Sequence, residues 1–108
     1  MSEFKFKKTV KTLEIEGVTY EIDLGNAELM KKWRASVSII QGLMEKLDGD
    51  DAIESIIGME KEIITMVLGD WERLWDLAGK NIFVMLQLVK EISGFVNGQV
   101  SEIAKEYI

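Results

Sequence analysis

Residues 9 to 24, TVKTLEIEGVTYEIDL, alternate apolar and polar positions with a period of two. The spacing predicts a β-hairpin turning at Glu16-Gly17, with Ile15 facing Val18 and Leu13 facing Tyr20. In that register Leu13, Ile15, Val18, Tyr20, Ile22 and Leu24 share one face, and Thr12, Glu14, Thr19, Glu21 and Asp23 share the other. A two-stranded hairpin is marginal in water, so its apolar face is expected to lie on helices or on another chain. From residue 26 onward the period changes to that of a helix. Asn26 is placed to cap a helix over Ala27–Leu47, about 31 Å long, whose stripe is Leu29, Trp33, Val37, Ile40, Met44 and Leu47.

Leu47-Asp48-Gly49-Asp50-Asp51 reads as a turn, and Asp51 with Glu54 as the capping box of a second helix. The core face predicted there is Ile53, Ile57, Ile64 and Val67 or Leu68. Ile56, Met59, Ile63 and Met66 widen it beyond one narrow stripe. Gly58 lies inside this helix, where close packing is the usual reason for a glycine. Gly69 stops the helix, Asp70 is placed to cap a short segment over Trp71–Ala78, and Gly79 stops that in turn. Trp71 and Trp75, four residues apart, fall on one face of this segment. Trp71, beside Asp70 and Glu72, is expected on the outside, and Trp75, near Leu74, Leu77 and Ala78, in the core. Asn81 caps the last helix, whose face is Ile82, Leu86, Val89, Ile92, Val96, Val100, Ile103 and Tyr107. At 26 residues it would measure about 39 Å, and Ser93-Gly94 and Asn97-Gly98 are the expected places for a bend.

The fold class that follows is α+β, mostly α-helical, with an N-terminal β-hairpin and three to four helices. It forms one domain over residues 1–108: a flexible terminus over 1–8, the hairpin over 9–24 and the helices over 26–108. For a chain of this length, area scaling gives roughly 6,100 Å² of surface when folded, which leaves enough buried for one core without staples.

Charge is uneven along the chain. The formal net charge is −6, yet residues 1–11 carry Lys5, Lys7, Lys8 and Lys11 against Glu3, a balance of +3, so the body carries −9. An acidic body argues against nucleic acid as a partner, and the lysines are read as a solvated terminus. There is no long apolar stretch for a membrane span and no signal-peptide pattern, so a cytoplasmic location is expected.

Chemistry is constrained by what is missing. There is no Cys and no His, which removes disulfides, thiolates, the usual zinc sites and Ser–His catalysis. Neither phosphate-binding glycine motif is present, nor a Gly-x-Ser-x-Gly nucleophile turn. Read as an EF-hand from Asp48, the turn would need an oxygen ligand, Gly and Glu where Ala52, Ile53 and Met59 stand. No metal, cofactor or catalytic residue is therefore expected. Glu60 and Glu62 are assigned to the solvent face. The chain reads as a non-enzymatic binding or assembly protein that self-associates, and Trp71, Trp75, Met59 and Met66 are the candidate partner-binding residues.

One family fits this order of elements. A hairpin ending in Val18-Thr-Tyr-Glu-Ile-Asp-Leu24, a capped helix, the step Leu68-Gly69-Asp70, an aromatic segment, and Asn81-Ile82 opening a Leu-rich helix resemble small tail-assembly chaperones of long-tailed phages and prophages of Gram-positive bacteria. The resemblance covers residues 10 to 95, with one departure: Trp71 stands where that family often has Gly or Ala. It implies a protein that coats the tape-measure protein during tail assembly, keeps its apolar helices dissolved, and helps recruit tail-tube subunits. The 47% hydrophobic content and six methionines suit exchangeable apolar contact; taken alone, the methionine stripe is better read as filling a core. A small regulatory or structural module acting as an obligate helical dimer is the other reading. A secreted helical hairpin of the Trp-x-Gly type is remote, because no tryptophan is followed two residues later by Gly.

Overall fold

The computed structural model describes residues 2–6 and 9–107, with 106 and 107 described by backbone alone. Expectations about residues 1, 7 and 8 and the Tyr107 side chain fall outside the described residues. Residues 2–6 have no regular secondary structure. Strands β1 (Val10–Ile15) and β2 (Val18–Asp23) pair antiparallel, with Ile15 opposite Val18 and Leu13 opposite Tyr20. Glu16 and Gly17 take φ of 49° and 80°, the two positive values a type I′ turn requires. At the other end of the hairpin, the Thr9 hydroxyl donates to Asp23 Oδ1 at 3.0 Å and accepts from the Gly25 amide at 3.1 Å. A Cβ at Gly25 would collide with that hydroxyl.

Four helices follow: α1 (Ala27–Glu45), α2 (Gly49–Val67), α3 (Trp71–Leu77) and α4 (Ile82–Tyr107). Helix α1 opens on Asn26, whose Oδ1 accepts from the Leu29 amide at 3.1 Å. It ends at Glu45, two residues before the expected Leu47. Helix α2 starts before Asp51. Gly49, at φ +82°, turns the chain in, so Asp48 occupies the cap position without a side-chain bond and no capping box forms at Asp51. Asp50 and Asp51 instead sit in the first turn, where the helix dipole favours negative charge.

Helix α3 ends in a Schellman arrangement at Gly79. The Lys80 amide donates to the Trp75 carbonyl at 2.9 Å, and the Gly79 amide to Asp76 at 3.0 Å. Asn81 then caps α4, its Oδ1 accepting from Phe83 at 2.9 Å and Val84 at 3.2 Å. Helix α4 runs unbroken through Gly94 and Gly98, where bends were expected, and Val100 and Ile103 still pack on the core.

One apolar cluster joins every element. Ile22 and Leu24 come from the hairpin, Trp33 and Ile40 from α1, Ile63 and Ile64 from α2, Trp71 and Leu74 from α3, and four residues from α4. Helix α2 packs against α1, α3 and α4. Because it is covered on more than one side, its buried face differs from the predicted stripe. Ile56, Glu60, Ile63 and Ile64 are buried, whereas Ile53 is exposed. Gly58 is also a correction, since a Cβ there would meet nothing within 4 Å. The molecule is elongated, 64 × 28 × 19 Å, with 7466 Å² of accessible surface, well above the roughly 6,100 Å² of a compact chain of its mass. No described helix is long and apolar enough to cross a membrane.

Candidate protein-binding site

The short helix α3 is held from two sides. On its inner side Trp71 is 6% exposed and Leu74 is buried, and both belong to the core cluster. Trp75 is half-buried and stacks on Trp71 with ring centroids 5.0 Å apart and planes 17° from parallel. The predicted roles of the two rings are thus reversed: Trp71 is the core residue and Trp75 the outer one. Gly69, at φ +73°, turns the chain from α2 into α3, and the first residue of α3 is the one that meets the interior.

Polar groups fasten the same helix to the hairpin. The Tyr20 hydroxyl donates to Asp70 Oδ2. Arg73 Nη1 donates to the Tyr20 oxygen at 2.7 Å and lies 3.4 Å from Asp70 Oδ2, and Nη2 donates to the Glu16 carbonyl at 2.8 Å. Burial, and then the bond to Asp70, push the Tyr20 hydroxyl above its ordinary pKa of 10.0, so it remains a donor through the neutral range. Asp70 was expected to cap α3, but it makes no side-chain cap bond. Its carboxylate serves this three-residue junction instead. The signal that could reveal it is non-local, since Tyr20 lies 50 residues from Asp70.

Beyond Trp75 the outer end of α3 carries exposed apolar surface. Leu77 is 54% exposed, and Phe83 and Val84 at the start of α4 are exposed as well. Leu77 and Val84 flank a groove of about 330 Å³ floored by Leu74, Met85 and Leu88 and closed at the hairpin tip by Ile15. Its polar lining is Glu16, Gln87 and Glu91, and it contains no lysine or arginine. Concave, mostly apolar, and joined by three elements, it has the make-up of a docking site for an apolar side chain.

The other expected contact residues lie elsewhere. Met59 and Met66 are half-buried against the core. Met66 lines a shallow depression with Leu29 and Val67, beside Glu21, Asp23, Glu28 and Lys32. Trp71 and Trp75 are brought together by stacking, but neither tryptophan and neither of these methionines lines the groove. Sequence reasoning missed Leu77, Val84 and Phe83, because helical periodicity alone places them on flanks rather than on a partner face. Among the described residues, no group of three acidic side chains gathers closely enough to hold a metal ion.

The interior holds one charged anomaly. Glu60 is 0% exposed, and neither carboxyl oxygen has a hydrogen-bond partner. Desolvation pushes its pKa from 4.5 up to about 8, so the buried acid is mostly neutral at pH 7. Its assignment to the solvent face is overturned, since α2 turns this position inward between Ile56 and Ile63 or Ile64. Comparison of the chain with known protein families, with curated proteins and with solved structures gives no match.

Proposed function

We propose that this chain is a non-enzymatic tail-assembly chaperone of a long-tailed phage or prophage of a Gram-positive bacterium, acting in the host cytoplasm. It binds apolar segments of the tape-measure protein and helps bring tail-tube subunits to them. The observation that carries the reading is the open apolar groove beneath Leu77 and Val84, at the junction of hairpin, α3 and α4. The family resemblance rests on the same stretch of chain. An apolar groove with few polar groups favours release as well as capture, which a chaperone absent from the finished tail needs.

The test is co-expression with the tape-measure protein encoded nearby. The chain should keep that protein in the soluble fraction, and Leu77→Lys should abolish the effect while the variant itself stays folded. If Leu77→Lys solubilises the tape-measure protein as well as the parent does, the groove is not the client site. Gene order gives a separate check: a tail-tube gene upstream, a tape-measure gene downstream, and a slippery heptanucleotide near the stop codon. The alternative, a small regulatory or structural module working as an obligate dimer, draws on the bare phenylalanines near the N-terminus. It predicts a stable dimer with no effect on tape-measure solubility.

A further inference from the structure

Phe4 and Phe6 have no role in the fold. They are 80% and 90% exposed and touch each other edge to face, with centroids 4.9 Å apart. Lys5 lies between them and Lys7, Lys8 and Lys11 follow, so this arm pairs aromatic surface with positive charge on an otherwise acidic chain. Two phenylalanines in water forgo a large burial gain, since each ring can bury 150 Å² or more. The groove below Leu77 has the complementary chemistry: an apolar floor, with Glu16 and Glu91 in its lining and no cation.

We propose that the Phe4-Lys5-Phe6 arm of one copy of this chain docks in the Leu77–Val84 groove of a second copy. The phenylalanines fill the apolar floor, and Lys5 between them lies against the acidic lining of Glu16 and Glu91. Geometry argues against the same chain's own arm. The arm leaves the hairpin at Thr9, which is tied to Asp23 and Gly25, whereas the groove is at the turn, beside Ile15 and Glu16. Thr9 to Ile15 spans about 20 Å of strand, while a fully reversed arm carries Phe4 back only about 17 Å and Phe6 about 10 Å. The depression nearer the arm's root offers only Leu29, Met66 and Val67 as apolar lining and already holds Lys32. A second copy meets neither obstacle. Exchanged reciprocally between two copies the contacts form an isologous pair, and passed head to tail they form a heterologous ring.

The arm would occupy the same groove as the client proposed above, so the arm's phenylalanines, which the client reading does not need, distinguish the two. Sedimentation of the full chain across micromolar concentrations should show association. The double variant Phe4→Ser/Phe6→Ser should weaken it at least about tenfold and leave tape-measure solubilisation intact. Leu77→Lys alone should be monomeric. Mixed in equal amounts, the two variants should form a pair, because one retains the groove and the other the arm. Association should fall as NaCl is raised from 50 mM to 0.5 M, since exposed charge pairs are screened. A full chain that stays monomeric, a Phe4→Ser/Phe6→Ser chain that associates like the parent, or variants that fail to pair would each overturn the proposal.

Discussion

Asp70 and Glu60 are carboxylates set against the same apolar core, and the fold treats them in opposite ways. Asp70 sits at the edge, where the Tyr20 hydroxyl and the Arg73 guanidinium both reach it. That junction pins a seven-residue helix to the hairpin, and a helix so short would not persist by itself. Glu60 sits at the middle of α2 with no partner for either oxygen. The fold accommodates it by protonation, which is cheaper than burying a lone charge but leaves polar atoms unbonded. The difference teaches that the corner carrying the groove is specified by polar geometry. The buried face at the centre of α2 is packed by apolar contact, with the Lys32–Glu62 ion pair at 2.7 Å on the exposed side, and it tolerates a cost.

The largest expected effect is in α2. A buried acid whose folded pKa is raised gives stability that is complete below its unfolded value and is lost as pH rises through the folded value. For Glu60 the window runs from 4.5 to about 8, and at about 1.4 kcal/mol per unit the loss approaches about 5 kcal/mol by its top. Urea unfolding between pH 4.5 and 8.5 should therefore show a falling stability that Glu60→Gln largely flattens, with the variant ahead by about 3 kcal/mol at pH 7. Equal slopes for the two proteins would mean that Glu60 has a partner, and the contrast with Asp70 would disappear.

The aromatic pair comes next. Trp71→Ala should cost about 3–5 kcal/mol by denaturant unfolding, the price of emptying a core site. Trp75→Ala, half-buried, should cost clearly less, and the double variant should cost less than the sum by about 1 kcal/mol of stacking. If Trp75→Ala were the more damaging, α3 would be held by its outer ring rather than by the core.

A smaller effect is expected at the junction itself. Arg73 and Asp70 are each about one-third exposed at the side chain, so solvent screening limits what their pairing is worth. Tyr20→Phe and Arg73→Ala should each cost about 1 kcal/mol. Amide exchange should quicken in α3 more than in α2, since this junction fastens α3 to the hairpin. Uniform quickening would show that the polar contacts do not fasten that helix in particular. Smallest of all, Gly58→Ala should stabilise α2 by about 0.5 kcal/mol, because its Cβ would enter open space. A loss of stability there would reveal a neighbour at that face, such as a second copy.

The hairpin, its register and the caps at Asn26 and Asn81 were legible because their signals are local: alternation, a two-residue turn, and an oxygen placed before a helix. The inner face of α2 was not. Apolar residues occupy so much of its circumference that more than one stripe can be drawn. The choice falls to the helices packed on either side, which bury Ile56 and Glu60 and leave Ile53 outside. The junction of Tyr20, Asp70 and Arg73 was illegible for another reason. Asp70 is a suitable cap by position, and only the arrival of a side chain from the hairpin redirects it. The groove was half legible: its residues lie on the predicted hairpin and helices, but the flank of α4 that meets Leu77 depends on how α3 leaves Gly79.

Glu60 also couples folding to the proton content of the solution. The unfolded chain carries it ionised at pH 7, whereas the folded chain carries it mostly neutral, so folding takes up close to one proton and unfolding returns it. The native molecule is correspondingly almost one unit less negative than its formal −6. Calorimetric heats of unfolding at that pH will then include the reaction of the released proton with the buffer. Tris, which binds protons exothermically, should give a smaller apparent enthalpy than phosphate, and Glu60→Gln should give the same heat in both.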